Sequence, residues 1–144
     1  MAKFPLHFEA QAETGPGIST HWECSSESLP KIKCSIPAEF SGPGGGYSPE
    51  DLFGHALINC LIATFKVYAE KSGLSFSKLS AKADVKMDID ASTNKMSVTE
   101  IHTEFNIEGA SDPEKIRATL DKAIADCAIS NSIKSGKNFT VNVS

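Results

Sequence analysis

Between Asp51 and Lys66 the chain runs for 14 residues without a single Asp, Glu, Lys or Arg. Leu52, Phe53, Ala56, Leu57, Ile58, Leu61, Ile62 and Phe65 fall on every side of a helical wheel, the pattern of a helix buried all round. Its boundaries are written in the flanking residues. Ser48 is a good N-cap, Pro49 suits the first helical position, and Glu50 and Asp51 put negative charge on the first turn. Gly73 supplies the stop, after a helix that reaches about Ser72. The uncharged stretch falls short of the roughly 20 apolar residues that a bilayer requires. A core helix is expected, and the rest of the chain must fold around it.

The rest reads as strands and one further helix. Phe4, Leu6, Phe8, Ala10 and Ala12 alternate with polar residues, as in a half-buried strand over residues 4–12. After the turn at Thr14-Gly15-Pro16-Gly17, Ile18, Thr20, Trp22 and Cys24 share one face of a second strand, and Ile32, Cys34 and Ile36 one face of a third. Residues 41–46, Ser-Gly-Pro-Gly-Gly-Gly, lack the Lys-Ser/Thr ending of a phosphate loop and read as a mobile connector or lid. Beyond the helix, Leu79 to Ile89 alternates cleanly, residues 91–95 form a hairpin connection, and the returning strand starts on Met96 and Val98. Its parity then switches to Ile101, Thr103, Phe105 and Ile107, which predicts a bulge near Thr99 or Glu100. Asp112-Pro113-Glu114 opens a second helix with the buried stripe Ile116, Leu120, Ala123, Ile124 and Cys127. Phe139, Val141 and Val143 make a last strand. The order βββ-α-ββ-α-β, without repeat or linker, predicts a single α+β domain over residues 1–144, built of hairpins and meanders rather than βαβ crossovers.

Composition narrows the function. With 40% hydrophobic and 22% charged residues the chain is an ordinary globular one. A net charge of −4 and no basic stripe argue against nucleic acid or an anionic membrane as partner. The first residues lack a secretory leader, so a cytoplasmic protein with reduced thiols is expected. Cysteines at 24, 34, 60 and 127 do not have zinc-module spacing. Cys24 and Cys34 fall with the apolar residues of their strands and read as small core residues. Cys60 and Cys127 lie on the two helices that share the core, so their sulfurs could meet. Periodicity also allows two inert buried thiols. His7, His21 and His102 fall on polar strand faces, and His55 is about 140° round the helix from Cys60, poorly placed for a direct pair.

The run Ser48-Pro49-Glu50-Asp51-Leu52-Phe53 leading to Cys60, with Cys127-Ala128-Ile129-Ser130-Asn131-Ser132 far downstream, resembles the OsmC/Ohr family of osmotically inducible and organic hydroperoxide resistance proteins. So does Pro37-Ala38-Glu39-Phe40-Ser41-Gly42-Pro43-Gly44-Gly45 before the helix, which looks like one branch of that family. The resemblance covers nearly the whole chain. It implies an intertwined homodimer with two sites at the subunit interface, reducing hydroperoxides, organic ones above all, without a metal or bound organic cofactor. By this resemblance Cys60 is the peroxidatic thiolate, Cys127 resolves it as a disulfide, Glu50 helps to orient the site, and a thiol or dithiol resets it. It also implies an N-terminal arginine near the thiolate. Residues 1–47 contain none, Arg117 being the only arginine of the chain, and parity turns Lys31 and Lys33 to the polar face. A dimer that binds a small apolar or electrophilic molecule at its interface is therefore the alternative.

Overall fold

The computed structural model describes residues 2–144. The chain divides into two compact units, Met1–Leu52 and Phe53–Ser144. The expected α+β order is present, with a 3-10 turn at Ala38–Phe40 and one short α-helix added. Three short strands, β1 (Gln11–Glu13), β2 (Trp22–Ser25) and β3 (Ile32–Cys34), precede α1 (Pro49–Lys71). After it come β4 (Lys78–Asp90), β5 (Lys95–Glu108), α2 (Pro113–Asp126), α3 (Ala128–Ser132) and β6 (Gly136–Val143).

In the first unit β1, β2 and β3 form an antiparallel sheet in that order. The strand expected over residues 4–12 shrinks to Gln11–Glu13. Phe4 and Phe8 are 82% and 88% exposed, because no described strand lies beside residues 4–9 to cover their alternating face. The second strand likewise starts at Trp22 rather than Ile18. The glycine-rich connector is pinned rather than loose. Gly42 N–H donates to Pro37 O at 3.1 Å and Gly44 N–H to Ile36 O at 3.2 Å. His21, expected as a solvated surface residue, is half-buried with Nε2 2.8 Å from Gly44 O. Ser48 closes the unit with a reciprocal cap: its N–H donates to Asp51 Oδ2 at 2.9 Å, and Asp51 N–H donates to Ser48 Oγ at 3.1 Å.

The second unit holds the main core. β5 lies between β4, antiparallel to it, and β6, parallel to it. The link from β5 through α2 and α3 to β6 is thus a βαβ crossover, contrary to the all-hairpin expectation; the spacing of apolar residues in β6 cannot reveal its direction. The bulge is where the parity switch placed it. Lys86 opposes Glu100 and Met87 opposes Val98, so Thr99 is the extra residue. Beyond it Ile101, Thr103, Phe105 and Ile107 all point into the core. Leu57, Leu61 and Phe65 of α1 meet Ile116, Leu120 and Ala123 of α2 there, every one fully buried.

One expectation for α1 is corrected. Within the single chain it buries one stripe, Gly54, Leu57, Leu61, Phe65 and Ala69, and not its whole circumference. Ala56, Asn59, Ala63 and Val67 form an exposed opposite face. By length and composition α1 is also apolar enough to cross a membrane, yet its buried stripe is part of the hydrophobic core cluster. Gly54 sets how closely it approaches β4: a Cβ there would stand 3.0 Å from Val85 Cγ2. Gly54→Val is therefore expected to cost about 1–3 kcal/mol by overpacking, read as a lower denaturation midpoint at unchanged slope.

Candidate active site

Cys60 and Cys127 meet inside the second unit. Cys60 sits on α1, half-buried, while Cys127 is wholly buried at the junction of α2 and α3. The chain turns sharply there. Cys127 is the C-cap of α2 and the N-cap of α3 at once, with φ −66° and ψ 114°. Its sulfur accepts the Ser130 N–H at 3.3 Å, the place that a serine or aspartate oxygen would ordinarily take. Lys137 holds the other end of α3, donating to Ser130 O and Ile133 O, each at 2.7 Å.

This junction treats the two sulfurs differently. Burial pushes the Cys60 thiol up, but hydrogen bonds to its sulfur, from the Cys127 thiol first and then from the Ile129 and Ala128 N–H groups, outweigh it. The net effect is a Cys60 thiol below its ordinary range, since each of those donors favours the thiolate. Cys127 goes the other way, pushed up to about 11 by burial first and by its hydrogen bond to Cys60 second. The pair therefore consists of a sulfur disposed to ionise beside one that stays protonated and donates to it. Such asymmetry suits one attacking and one resolving thiol.

The pH consequence has a definite sign. Alkylation of native Cys60 by iodoacetamide is expected to rise with pH and level off at a midpoint below that of an unperturbed thiol, while Cys127 reacts only towards about pH 11. Over the window from the ordinary thiol range up to about 11 the unfolded chain loses the Cys127 proton before the native one, so native stability falls with rising pH there. Mass mapping of the alkylated peptides separates the two residues. Equal midpoints would contradict the assignment.

The other predicted residues fare less evenly. Asp51, not Glu50, makes the cap of α1. Glu50 Oε2 is buried with no hydrogen-bond partner among the described residues. Ten helical steps separate Glu50 from Cys60, about 15 Å of rise along α1, so the carboxylate does not reach the sulfur of its own helix. Lys31 pairs with Glu23 at 3.8 Å on an exposed face and Lys33 is exposed, as parity predicted. Arg117 is spent on Val141 O, at 3.1 Å. Among the described residues no cation figures in the influences on Cys60. Sequence reasoning missed Ala128, Ile129 and Thr64. Thr64 lies one turn after Cys60 and donates to its carbonyl at 2.9 Å, so its i+4 position was a usable signal; the two backbone N–H groups gave none.

Residues 42–142 match the family model described as OsmC-like protein. The chain belongs to the OsmC-like family. Among curated proteins none matches its sequence. An OsmC-like protein from Vibrio cholerae superimposes with a TM-score of 0.84 at 18% identity, covering 95% of this chain and 99% of that one. An organic hydroperoxide resistance protein OsmC from Legionella pneumophila gives 0.73 at 24% identity, with 99% of both chains covered. The organic hydroperoxide resistance protein OhrB of Bacillus subtilis gives 0.70 at 16% identity, covering 96% of this chain and 98% of that one. At such identities the OsmC-like chain shares a fold with these proteins, and its chemistry has to be argued from its own residues.

Proposed function

We propose that this OsmC-like protein is a thiol-dependent peroxidase that reduces hydroperoxides, organic ones in particular, through a Cys60–Cys127 cycle. The observation that carries this is the sulfur pair itself, with Cys60 held below the ordinary thiol range by donors that include the Cys127 thiol. The Cys60 thiolate attacks one peroxide oxygen, the O–O bond breaks, and the alcohol departs with a proton. The resulting sulfenic acid is attacked by Cys127, a disulfide forms and water leaves. Two equivalents of thiol, or one dithiol, then restore the pair. The setting is a reducing, cytoplasmic one. The resemblance to hydroperoxide resistance proteins in fold is support of a coarser kind.

The working unit in this proposal is a homodimer. Three observations support it: the exposed apolar face of α1, the uncovered Phe4 and Phe8, and the buried Glu50 Oε2, unpartnered among the described residues. A second copy laid on α1 would cover that face and could bring its own Glu50 towards Cys60. A folded monomer in light scattering at low micromolar concentration would overturn this.

The missing arginine favours a second reading, a dimer that binds a small electrophile without turning it over. Treating the reduced protein, with Cys24 and Cys34 replaced by serine so that only the helix pair can react, with one equivalent of cumene hydroperoxide separates the two. Peroxidase action gives one intramolecular Cys60–Cys127 disulfide per chain and one cumyl alcohol; unchanged thiols and intact peroxide would leave the binding reading.

A further inference from the structure

The first unit holds a second pair of sulfurs. β2 and β3 pair in a register that sets Trp22 opposite Cys34 and Cys24 opposite Ile32. Cys24 and Cys34 are thus diagonal neighbours on one face of the sheet, and their sulfurs lie 3.4 Å apart. Two strands bonded side by side hold that approach in place. The two differ in access: Cys24 is half-buried, and Cys34 is 2% exposed.

We propose that Cys24 and Cys34 form a second redox site, a dithiol that a hydroperoxide closes to a disulfide and a small thiol reopens. This does not rest on the peroxidase reading of Cys60, since the pair is complete within β2 and β3. Cys24 is the accessible sulfur. Its thiolate attacks a peroxide oxygen, the O–O bond breaks, and the alcohol leaves with a proton. The Cys24 sulfenic acid then receives the sulfur of Cys34, the S–S bond forms, and the hydroxyl departs as water with the Cys34 proton. Two thiols and one hydroperoxide become a disulfide, an alcohol and a water. Cys34 suits the second step only: burial, and then its hydrogen bond to Cys24, push its thiol up and keep it protonated. Closing the bond brings the sulfurs from 3.4 Å to about 2 Å.

The staple would sit at the root of the glycine-rich connector. Tyr47 N–H donates to Lys33 O at 2.9 Å, and Ser35 N–H donates to Tyr47 O at 3.1 Å. Gly46 packs on the Cys34 backbone so closely that a Cβ would stand 2.9 Å from its carbonyl carbon. Oxidation would therefore tie β2 to the strand on which that connector rests.

The test uses the full chain carrying Cys60→Ser and Cys127→Ser, in which Cys24 and Cys34 are the only thiols. Cumene hydroperoxide is expected to take the free thiols from two per chain to none, with a mass lower by two hydrogens and no cross-link between chains. Dithiothreitol should restore both. Adding Cys34→Ser should leave a Cys24 sulfenic acid that dimedone traps, whereas adding Cys24→Ser should leave Cys34 unreacted. Two thiols that stay free, that gain oxygen without linking, or that link separate chains would overturn the proposal. Should the double variant fail to fold, peptide mapping of hydroperoxide-treated wild type decides the matter by the presence or absence of a Cys24–Cys34 link.

Discussion

Replacing Cys60 by serine is expected to reduce hydroperoxide consumption at this site by at least about a hundredfold, the scale on which an unassisted hydroxyl falls short of an activated nucleophile. The donors around Cys60 stabilise an anion that already forms readily on sulfur; they do not remove a proton from an alcohol. Nor, among its described residues, does this chain set a base of its own beside Cys60. His55 lies about 140° round α1 from residue 60, and the neighbouring Cys127 thiol is itself pushed up to about 11. The measurement is peroxide loss in single turnover, in a background with Cys24 and Cys34 replaced so that only the α1 sulfur is read. A serine variant consuming peroxide as fast as its parent would end the peroxidase reading.

At Cys127 two substitutions should part company. Cys127→Ser keeps a hydroxyl that can donate to Cys60 but supplies no second sulfur. It should consume about one peroxide per site and then stop as sulfenic acid or a higher oxide. Cys127→Ala removes the donor as well, while the burial that opposes ionisation remains, so the Cys60 thiol rises towards its ordinary range. Each unit of that rise lowers the thiolate fraction near neutral pH about tenfold, and the burst should slow accordingly. Stopped-flow peroxide loss against pH reads both effects. Continued turnover by Cys127→Ser would remove Cys127 from the cycle, and equal bursts in the two variants would remove it as a donor.

What could be read from the chain, and what could not, divides along physical lines. The ends of α1, the cap at Asp112 and the bulge at Thr99 were legible because each follows from local preferences of a few adjacent residues. The exposure of half of α1 was not, because periodicity reports that a face is apolar and not which chain covers it. The strand at residues 4–12 failed for the same reason. Its alternation is real, but no described strand of this chain lies against residues 4–9. At the site, the meeting of Cys60 with Cys127 was open on periodicity and favoured by resemblance. The difference between their thiols was hidden, because it depends on a cysteine acting as N-cap of α3, a position that serine, threonine, aspartate and asparagine usually fill. Parity put Cys24 and Cys34 on apolar faces, yet their contact depends on the register of β2 against β3, which residues 26–31 do not announce by any tight-turn signature.

The extra residue at Thr99 also decides where this chain can change in length. A strand's faces alternate every residue, so adding or losing one position inverts everything beyond it until something restores the count. On the hairpin side of Thr99 an insertion or deletion can be absorbed by doubling or removing the bulge, and Ile101, Thr103, Phe105 and Ile107 keep facing the core. On the far side no such slack exists. A single residue gained after Glu100 would turn all four of those side chains out to solvent and break the parallel register with β6, which begins at Glu100 and Gly136. Drift in length among relatives of this chain should therefore gather at the tip of the β4–β5 hairpin and stop at the bulge.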